Sequence, residues 1–296
     1  MTLGRRRLLS GGGLAAMAIA GCAGDQRSSS ATVPAPGQDE AVQATPQRVE
    51  YGTDPAQFVE LSLPAPAPGA RPIPVAVIIH GGFWRDAFDL SLGRPLAWTL
   101  PRRGWAALNI EYRRVGSGGG DPTTLDDVGA AIDVLAGPVG DLAGQAGVPL
   151  DLARVVTIGH SAGGHLAAWA ATRVDPVVAV AGAVAQAGVL DLRTAATDQL
   201  GGGATQAFLG GEPDDIPDRY AAASPIERLP LGVPILCVHG RDDAIVPLTQ
   251  SEAFVTAATA AGDAAELAVV EGDHFVVIDP AKAAWAIVLD WIDSAV

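Results

Sequence analysis

The sequence predicts an α/β fold in which a mostly parallel central sheet carries helices on both faces. Apolar β-branched runs at 75–79 and 155–158 alternate along the chain with segments of helical periodicity, and such alternation favours parallel strands. The run at 75–79 is apolar at every position, as expected of an internal strand buried on both faces. A length of 296 residues with 49% hydrophobic content is compatible with a single main domain.

The first residues do not belong to that domain. Arginines at 5–7, leucines at 8–9 and a small apolar stretch at 11–20 predict a signal peptide over residues 1–21. The run 19–22 resembles the lipobox of bacterial lipoproteins, which implies a lipid on Cys22; the alternative is an ordinary secretory peptide with a chance cysteine. The arginines also resemble twin-arginine signals, and the choice between that route and general secretion stays open.

The segment after Cys22 is predicted to be a flexible tether. Residues 22–47 are rich in Ser, Ala, Pro and Gln and show no apolar periodicity. We therefore expect an exported protein, lipid-anchored to the outer face of the bacterial cytoplasmic membrane, with its folded domain at 48–296. With lipid on Cys22, the second of the two cysteines, Cys237, has no partner for an intramolecular disulfide.

The net charge excludes one class of partner. Without the three signal arginines, 16 of the 19 basic side chains remain against 33 acidic ones, a net charge of −17. Such a chain is repelled by nucleic acid and by anionic lipid headgroups. Membrane attachment is therefore expected to depend on the acyl chains at Cys22.

The remaining elements follow the same alternation. Residues 188–232 are rich in Gly, Pro and Asp and predict a short cap insertion with helical turns at 205–209 and 218–223. In chain order we expect strands at 58–63, 75–79, 105–110, 155–158, 177–185, 234–238 and 266–270, and helices at 92–103, 124–135, 162–172, 250–261 and 281–292.

Two glycine-containing runs each follow a predicted strand. The second run, G-x-S-x-G centred on Ser161, leads into a helix, so a sharp turn would expose the Ser161 hydroxyl at the carboxyl edge of the sheet. Gly159 and Gly163 would provide the missing side chains that this crowded turn requires. Together the runs are typical of a nucleophile and its oxyanion hole: His80-Gly81-Gly82-Phe83-Trp84 and Gly159-His160-Ser161-Ala162-Gly163.

A serine nucleophile requires a base and a carboxylate that orients it. Among the five histidines, His274 lies in a loop after the last predicted strand and is the predicted base. The other four belong to the glycine runs, to the following helix or to the end of a strand: His80, His160, His165 and His239. His239 is expected to shape the loop that carries the catalytic acid.

Two carboxylates follow the strand at 234–238, and one of them is the predicted acid. Asp243 matches the pattern His-Gly-x-x-Asp-x-x-Val-Pro, whereas Asp242 does not. Asp191, after an earlier strand, is a further alternative. The order Ser161, Asp243, His274 is the one expected of α/β-hydrolases.

From about residue 50 onward the chain resembles α/β-hydrolases of the carboxylesterase, hormone-sensitive-lipase-like and arylformamidase group. The resemblance rests on both glycine runs, the run 111–113, the Asp243 loop and His274. It implies the α/β-hydrolase fold and an oxyanion hole formed by the backbone N–H groups of Gly82, Phe83 and Ala162. Lipase-like members carry a third glycine where this chain has Phe83, so the aromatic residues here are closer to the arylformamidase pattern.

The expected activity is hydrolysis of a small carboxylic ester through an acyl-enzyme. Alternatives are hydrolysis of N-formylkynurenine-type amides, suggested by Phe83 and Trp84, exopeptidase activity, and a surface-anchored binding module without catalysis. The sequence contains no phosphate loop, metal-spaced Cys and His cluster or dinucleotide fingerprint, so no cofactor and no metal are predicted. Oligomeric state is left open. Supporting or packing roles are expected for Glu111, Tyr112, Arg113 and His165. Trp84 and Phe88 are expected either to line an acyl or leaving-group pocket or to pack the loop.

Overall fold

A computed structural model describes residues 45–295. In this range eight strands form one sheet in the order β1-β2-β4-β3-β5-β6-β7-β8. β2 pairs antiparallel with β1 and β4, and the other pairs are parallel. This confirms the predicted mostly parallel α/β sheet. The strands are β1 (Gln47–Glu50), β2 (Phe58–Ser62), β3 (Ile73–Ile79), β4 (Ala106–Ile110), β5 (Leu150–His160), β6 (Gly182–Gln186), β7 (Ile235–Gly240) and β8 (Ala265–Val270).

Helices connect most of the parallel strands. The predicted helices around 124–135, 162–172, 250–261 and 281–292 are confirmed, with their ends shifted by up to three residues. Over the described residues the α-helices are α1 (Arg94–Ala97), α2 (Thr123–Asp133), α3 (Pro138–Gln145), α4 (Ala162–Ala170), α5 (Leu192–Thr197), α6 (Ala204–Leu209), α7 (Pro217–Ala223), α8 (Thr249–Ala261) and α9 (Ala283–Ala295).

The core lies on both faces of β3, as the apolar run predicted. Val75, Val77 and Ile79 pack with α2, α3 and α4 on one face, and all three are at most 1% exposed. Ala76 and Ile78 pack with α1 and α9 on the other. Because successive side chains of a strand point to opposite faces, one uninterrupted apolar run supplies both halves of the core.

Two expectations about individual elements are wrong. The predicted helix at 92–103 is broken into α1 and two flanking 3₁₀ turns, because Pro95 and Pro101 lack the N–H that a continuous helix needs. The predicted strand at 177–185 begins only at Gly182, where pairing with β5 starts. Val177 lies outside the sheet and is 73% exposed.

Two elements outside the segment 188–232 have no counterpart in the sequence analysis. Strand β1 begins at Gln47, the last residue assigned to the tether, and pairs along its length with β2. Helix α3 contains two glycines, which lower helix propensity, but it buries Val139 and Ala143 completely. The predicted signal peptide, Cys22 and the tether up to residue 44 lie outside the described residues.

The segment 188–232 contains the predicted helical turns as α6 and α7, preceded by α5. Phe208 and Tyr220 are at most 1% exposed and belong to the same core cluster as β3, so this segment shares the core of the sheet. Asp191 caps α5, its carboxylate accepting from the Thr194 N–H at 3.0 Å and the Thr194 hydroxyl at 2.6 Å. No helix between residues 45 and 295 has the length and apolar character needed to cross a membrane.

The junction of β5 and α4 is packed backbone against backbone. A Cβ on Gly163 would lie 2.1 Å from the carbonyl oxygen of Ile79 and 2.5 Å from that of His80, and a Cβ on Gly159 would lie 1.9 Å from the Gly163 carbonyl oxygen. Contacts this short are forbidden to real side chains. The predicted need for glycine at positions 159 and 163 is therefore confirmed.

Gly163→Ala should lower the free energy of unfolding by at least about 2 kcal/mol, because the new methyl group collides with backbone carbonyls at the centre of the sheet. Gly144→Ala in α3 is the matched control, since a Cβ there meets nothing within 4 Å. We expect it to be neutral or to stabilise by up to about 1 kcal/mol. Urea unfolding followed by circular dichroism measures both, and equal midpoints for the two variants would contradict the close packing.

Candidate active site

Ser161 occupies the turn between β5 and α4 in a strained backbone conformation. Its φ is 57° and its ψ is −119°, a region that side-chain-bearing residues seldom occupy. The backbone is fixed on both sides, since the Ser161 N–H donates to the Gln186 carbonyl at 2.8 Å and the Ser161 carbonyl accepts from the His165 N–H at 3.1 Å. Ser161 is largely buried, and its hydroxyl has no hydrogen-bond partner among the described residues.

A loop with free N–H groups lies beside this serine. Gly82, Phe83 and Trp84 have φ values of 114°, 53° and 55°, and a Cβ on the preceding Gly81 would lie 3.0 Å from Ser161 Cβ. Within residues 45–295, the N–H groups of Gly82, Phe83 and Ala162 donate to no protein acceptor. Free donors at a loop and at the first residue of a helix are suited to an anionic oxygen.

The loop 80–84 is supported by a buried polar network. His80 Nε2 bonds to Glu111 Oε1 at 3.0 Å, and the Tyr112 hydroxyl donates to the His80 carbonyl at 2.7 Å while its ring stacks on the His80 ring. Burial raises the pKa of Glu111, but the His80 hydrogen bond and the charge of Arg114 outweigh it and bring the pKa below its usual value. The predicted supporting role of Glu111 and Tyr112 is confirmed.

Arg113 and the aromatic residues of this loop also have packing roles. Arg113 pairs with Asp127 at 2.6 Å. Trp84 is only 1% exposed, stacks on Phe208 with ring centres 4.7 Å apart, and donates to His165 Nδ1 at 3.2 Å. His165 is the satisfied core histidine that the sequence analysis predicted, because its Nε2 also bonds to the Ala223 carbonyl.

The last loop pairs His274 with Asp243. His274 Nδ1 donates to Asp243 Oδ2 at 2.6 Å, and Asp243 Oδ1 accepts from the N–H groups of Ile245 and Val246 at 2.8 and 2.9 Å. The Asp243 side chain is fully buried. Burial raises its pKa, but hydrogen bonds from His239, His274 and these two amides outweigh that effect and hold the pKa well below its ordinary value. A buried, ionised carboxylate thus faces one imidazole nitrogen.

His239 shapes this acid loop, as predicted. Its Nε2 donates to the Val246 carbonyl at 2.9 Å and lies 3.2 Å from Asp243 Oδ2, while its Nδ1 bonds to the Ser251 hydroxyl. Asp242, the other candidate acid, has an exposed side chain and makes no hydrogen bond to a histidine in the described part of the chain. The structure therefore pairs His274 with Asp243.

His160 brings the His274 loop next to Ser161. The His160 Nε2–H donates to the His274 backbone carbonyl at 2.9 Å, and the two rings are 4.5 Å apart. Burial lowers the pKa of His160 to about 3, so the ring is neutral near pH 7. The Ser161 hydroxyl and the His274 imidazole are not hydrogen-bonded to each other here, a geometry common before substrate binds.

Two aromatic side chains flank this edge of the sheet. Phe88, whose ring lies against Gly82, is 42% exposed, and Phe275, next to His274, is 54% exposed. Phe83 packs against Gly201 of the 188–232 segment. Among residues 45–295, no cluster of three or more His, Cys, Asp or Glu side chains is arranged to hold a metal ion.

Residues 61–257 match the BD-FAE family. Two curated relatives come from Mycobacterium tuberculosis (strain ATCC 25618 / H37Rv). Esterase LipC is 30% identical over 224 residues, which cover 71% of this chain and 54% of LipC. Esterase LipQ is 31% identical over 211 residues, which cover 67% of this chain and 48% of LipQ. The chain thus spans about half the length of these relatives.

Solved structures share the architecture. A truncated carbohydrate esterase from gut microbiota superposes with a TM-score of 0.70 at 20% identity, over 86% of this chain and 98% of its own. The thermophilic esterase Est2 of the Planctomycetes species Thermogutta terrifontis gives a TM-score of 0.66 at 24% identity, over 85% of this chain and 91% of its own. The match to the family and this shared architecture show that the chain belongs to the BD-FAE family and has the α/β-hydrolase fold.

Proposed function

We propose that this protein is a serine hydrolase that cleaves small carboxylic esters with a triad of Ser161, His274 and Asp243. The observation that carries the proposal is the buried 2.6 Å pair of His274 and Asp243, held against the residue that precedes a serine in a strained strand-to-helix turn. The names of the two curated relatives, both esterases, support the same activity.

In the proposed mechanism, Ser161 Oγ attacks the ester carbonyl and forms a bond to its carbon. His274 Nε2 takes the hydroxyl proton and returns it to the leaving alcohol as the ester C–O bond breaks. Water then attacks the acyl-enzyme with the same base, releasing the carboxylic acid and restoring Ser161. Asp243, ionised because of its lowered pKa, fixes the imidazole tautomer and stabilises the imidazolium.

The negative charge that develops on the carbonyl oxygen requires its own donors. The free N–H groups of Gly82, Phe83 and Ala162 would supply them, and each such donor is worth about 10²–10³ in turnover. Because Glu111 and His80 hold this loop, its donors are fixed before substrate arrives. Such preorganisation favours the transition state over the substrate.

The proposed substrate is an ester rather than an N-formyl amide. The amide alternative rested on Phe83 and Trp84, but Trp84 is buried under the loop and packs on Phe208. A carboxylic ester also has a better leaving group than an amide. Parallel assays with p-nitrophenyl acetate and N-formylkynurenine compare the two substrates directly.

Ser161→Ala should abolish p-nitrophenyl acetate hydrolysis, because between residues 45 and 295 no other nucleophile lies beside the His274 loop. Esterase 2 of Thermogutta terrifontis is known in a form phosphonylated by sarin, and we accordingly expect a fluorophosphonate probe to label the wild type on Ser161. Mass spectrometry locates the adduct on the chain. Ser117→Ala, which removes a different serine hydroxyl, is the control. Folded wild-type protein without an adduct would favour the binding-module alternative.

Asp243→Asn should lower kcat by about 10⁴, since an amide cannot hold the catalytic tautomer or stabilise the imidazolium. Asp242→Asn is a matched control, because it changes the neighbouring residue in the same way at an exposed side chain. It should keep kcat within about twofold. Steady-state kinetics with p-nitrophenyl acetate distinguish the two, and a larger loss in Asp242→Asn would reverse the assignment of the acid.

We propose further that the protein is exported and anchored by lipid on Cys22, which the run 19–22 supports. In a bacterial host fed an alkyne-labelled fatty acid, the wild type should incorporate the label and Cys22→Ala should not. Cys237→Ala is the matched control, because that thiol is buried inside the fold. Label retained in Cys22→Ala would exclude this anchor.

A further inference from the structure

Two polar side chains outside the proposed triad hold the loop that carries His274. His160 ends β5 and Gln186 ends β6, and the two residues are register partners in the sheet. The His160 Nε2–H donates to the His274 carbonyl at 2.9 Å, and the Gln186 side-chain amide donates to the Val277 carbonyl. Both residues are buried.

These two bonds attach the backbone of residues 274 and 277 to the ends of β5 and β6, and the fully buried Val277 side chain packs in the same region. Among the described residues, the carbonyls of His274 and Val277 accept from no other group. The other backbone bonds of the loop either stay within it, as from the Val276 N–H to Asp273, or reach the end of β7, as from the Asp242 N–H to Gly272. Phe275, between the two attachments, is 54% exposed.

The two donor residues also contact the backbone of Ser161. His160 immediately precedes Ser161, and the Gln186 carbonyl accepts from the Ser161 N–H at 2.8 Å. The same two residues therefore contact the backbone of Ser161 on one side and the backbone around His274 on the other. A displacement of the loop relative to Ser161 would therefore stretch or break these hydrogen bonds.

The charge state of His160 suits this role. Burial and the nearby His274 lower its pKa to about 3, so near pH 7 the ring is neutral with its proton on Nε2, where the His274 carbonyl accepts it. A neutral ring 4.5 Å from the His274 ring does not oppose formation of the imidazolium there.

We propose that His160 and Gln186 are positioning residues that form a two-point clamp on the His274 loop and set the distance between His274 and Ser161. The expected effect of the clamp on kcat rests on the proposed function. Its expected effect on backbone motion does not, since the clamp also restricts the motion of segment 271–280. Misplacing a base by about 1 Å costs about 10²-fold in rate.

The test uses full-length protein and four variants. His160→Phe keeps an aromatic ring but removes the donor, and His160→Gln keeps a donor near the position of Nε2. Gln186→Met removes the other donor at nearly constant shape. Gln57→Met makes the same change at the residue just before β2, where the Gln57 side-chain amide donates to Asp127 at 2.8 Å, and serves as the matched control. The readouts are kcat and KM for p-nitrophenyl acetate and amide hydrogen exchange of segment 271–280.

We expect His160→Phe and Gln186→Met each to lower kcat about 10- to 100-fold with KM within twofold, and to speed exchange in segment 271–280. His160→Gln and Gln57→Met should stay within about threefold of the wild type in both readouts. The clamp is overturned if either donor-deleting variant keeps wild-type kcat and exchange, or loses kcat without faster exchange.

If the protein is not a serine hydrolase, the measurements give a different pattern. A folded wild type that neither hydrolyses the ester nor reacts with a fluorophosphonate would exclude the serine hydrolase, while hydrogen exchange in the same variants would still decide the clamp. If His160→Phe fails to fold, Gln186→Met decides it alone, because its two readouts carry the same expectations.

Discussion

The candidate site depends on the contact between the first turn of α4 and the ends of β3 and β5. Gly163 lies so close to the carbonyls of Ile79 and His80 that no side chain fits. This approach accompanies the strained backbone of Ser161, at φ 57° and ψ −119°, and an Ala162 N–H that donates to no acceptor among residues 45–295. Because His80 also begins the loop 80–84, the same contact places that loop beside the serine.

Two buried carboxylate–histidine pairs stand on either side of this contact. Glu111 holds His80, whose carbonyl and ring fix the loop of free N–H groups, and Asp243 holds His274. In each pair, hydrogen bonds outweigh the burial that would raise the pKa of the carboxylate. Both pairs are therefore ordered in the absence of substrate, since an ionised buried carboxylate is costly to leave without its donors.

Much of this arrangement could be predicted from local sequence. Gly159, Ser161 and Gly163 specify a turn, Asp243 follows a strand at a set spacing, and apolar runs identify β3 and β5. Helix α3 and strand β1 could not be predicted, because packing against distant residues outweighs the weak propensity of their own sequences. The proline-broken segment near α1 could have been predicted, since Pro95 and Pro101 signal the interruption.

The contacts of His160 and Gln186 could not be predicted from the sequence. Each side chain bonds to a backbone carbonyl about 90 or more residues away, and every residue type has such a carbonyl. The free energy of these two hydrogen bonds can be compared with the entropy cost of ordering the His274 loop. Fixing one residue costs about 1–2 kcal/mol of backbone entropy, and one hydrogen bond returns about 0.5–1.5 kcal/mol. Two bonds thus return about 1–3 kcal/mol, which is comparable with the cost of ordering one or two residues and favours one position of His274.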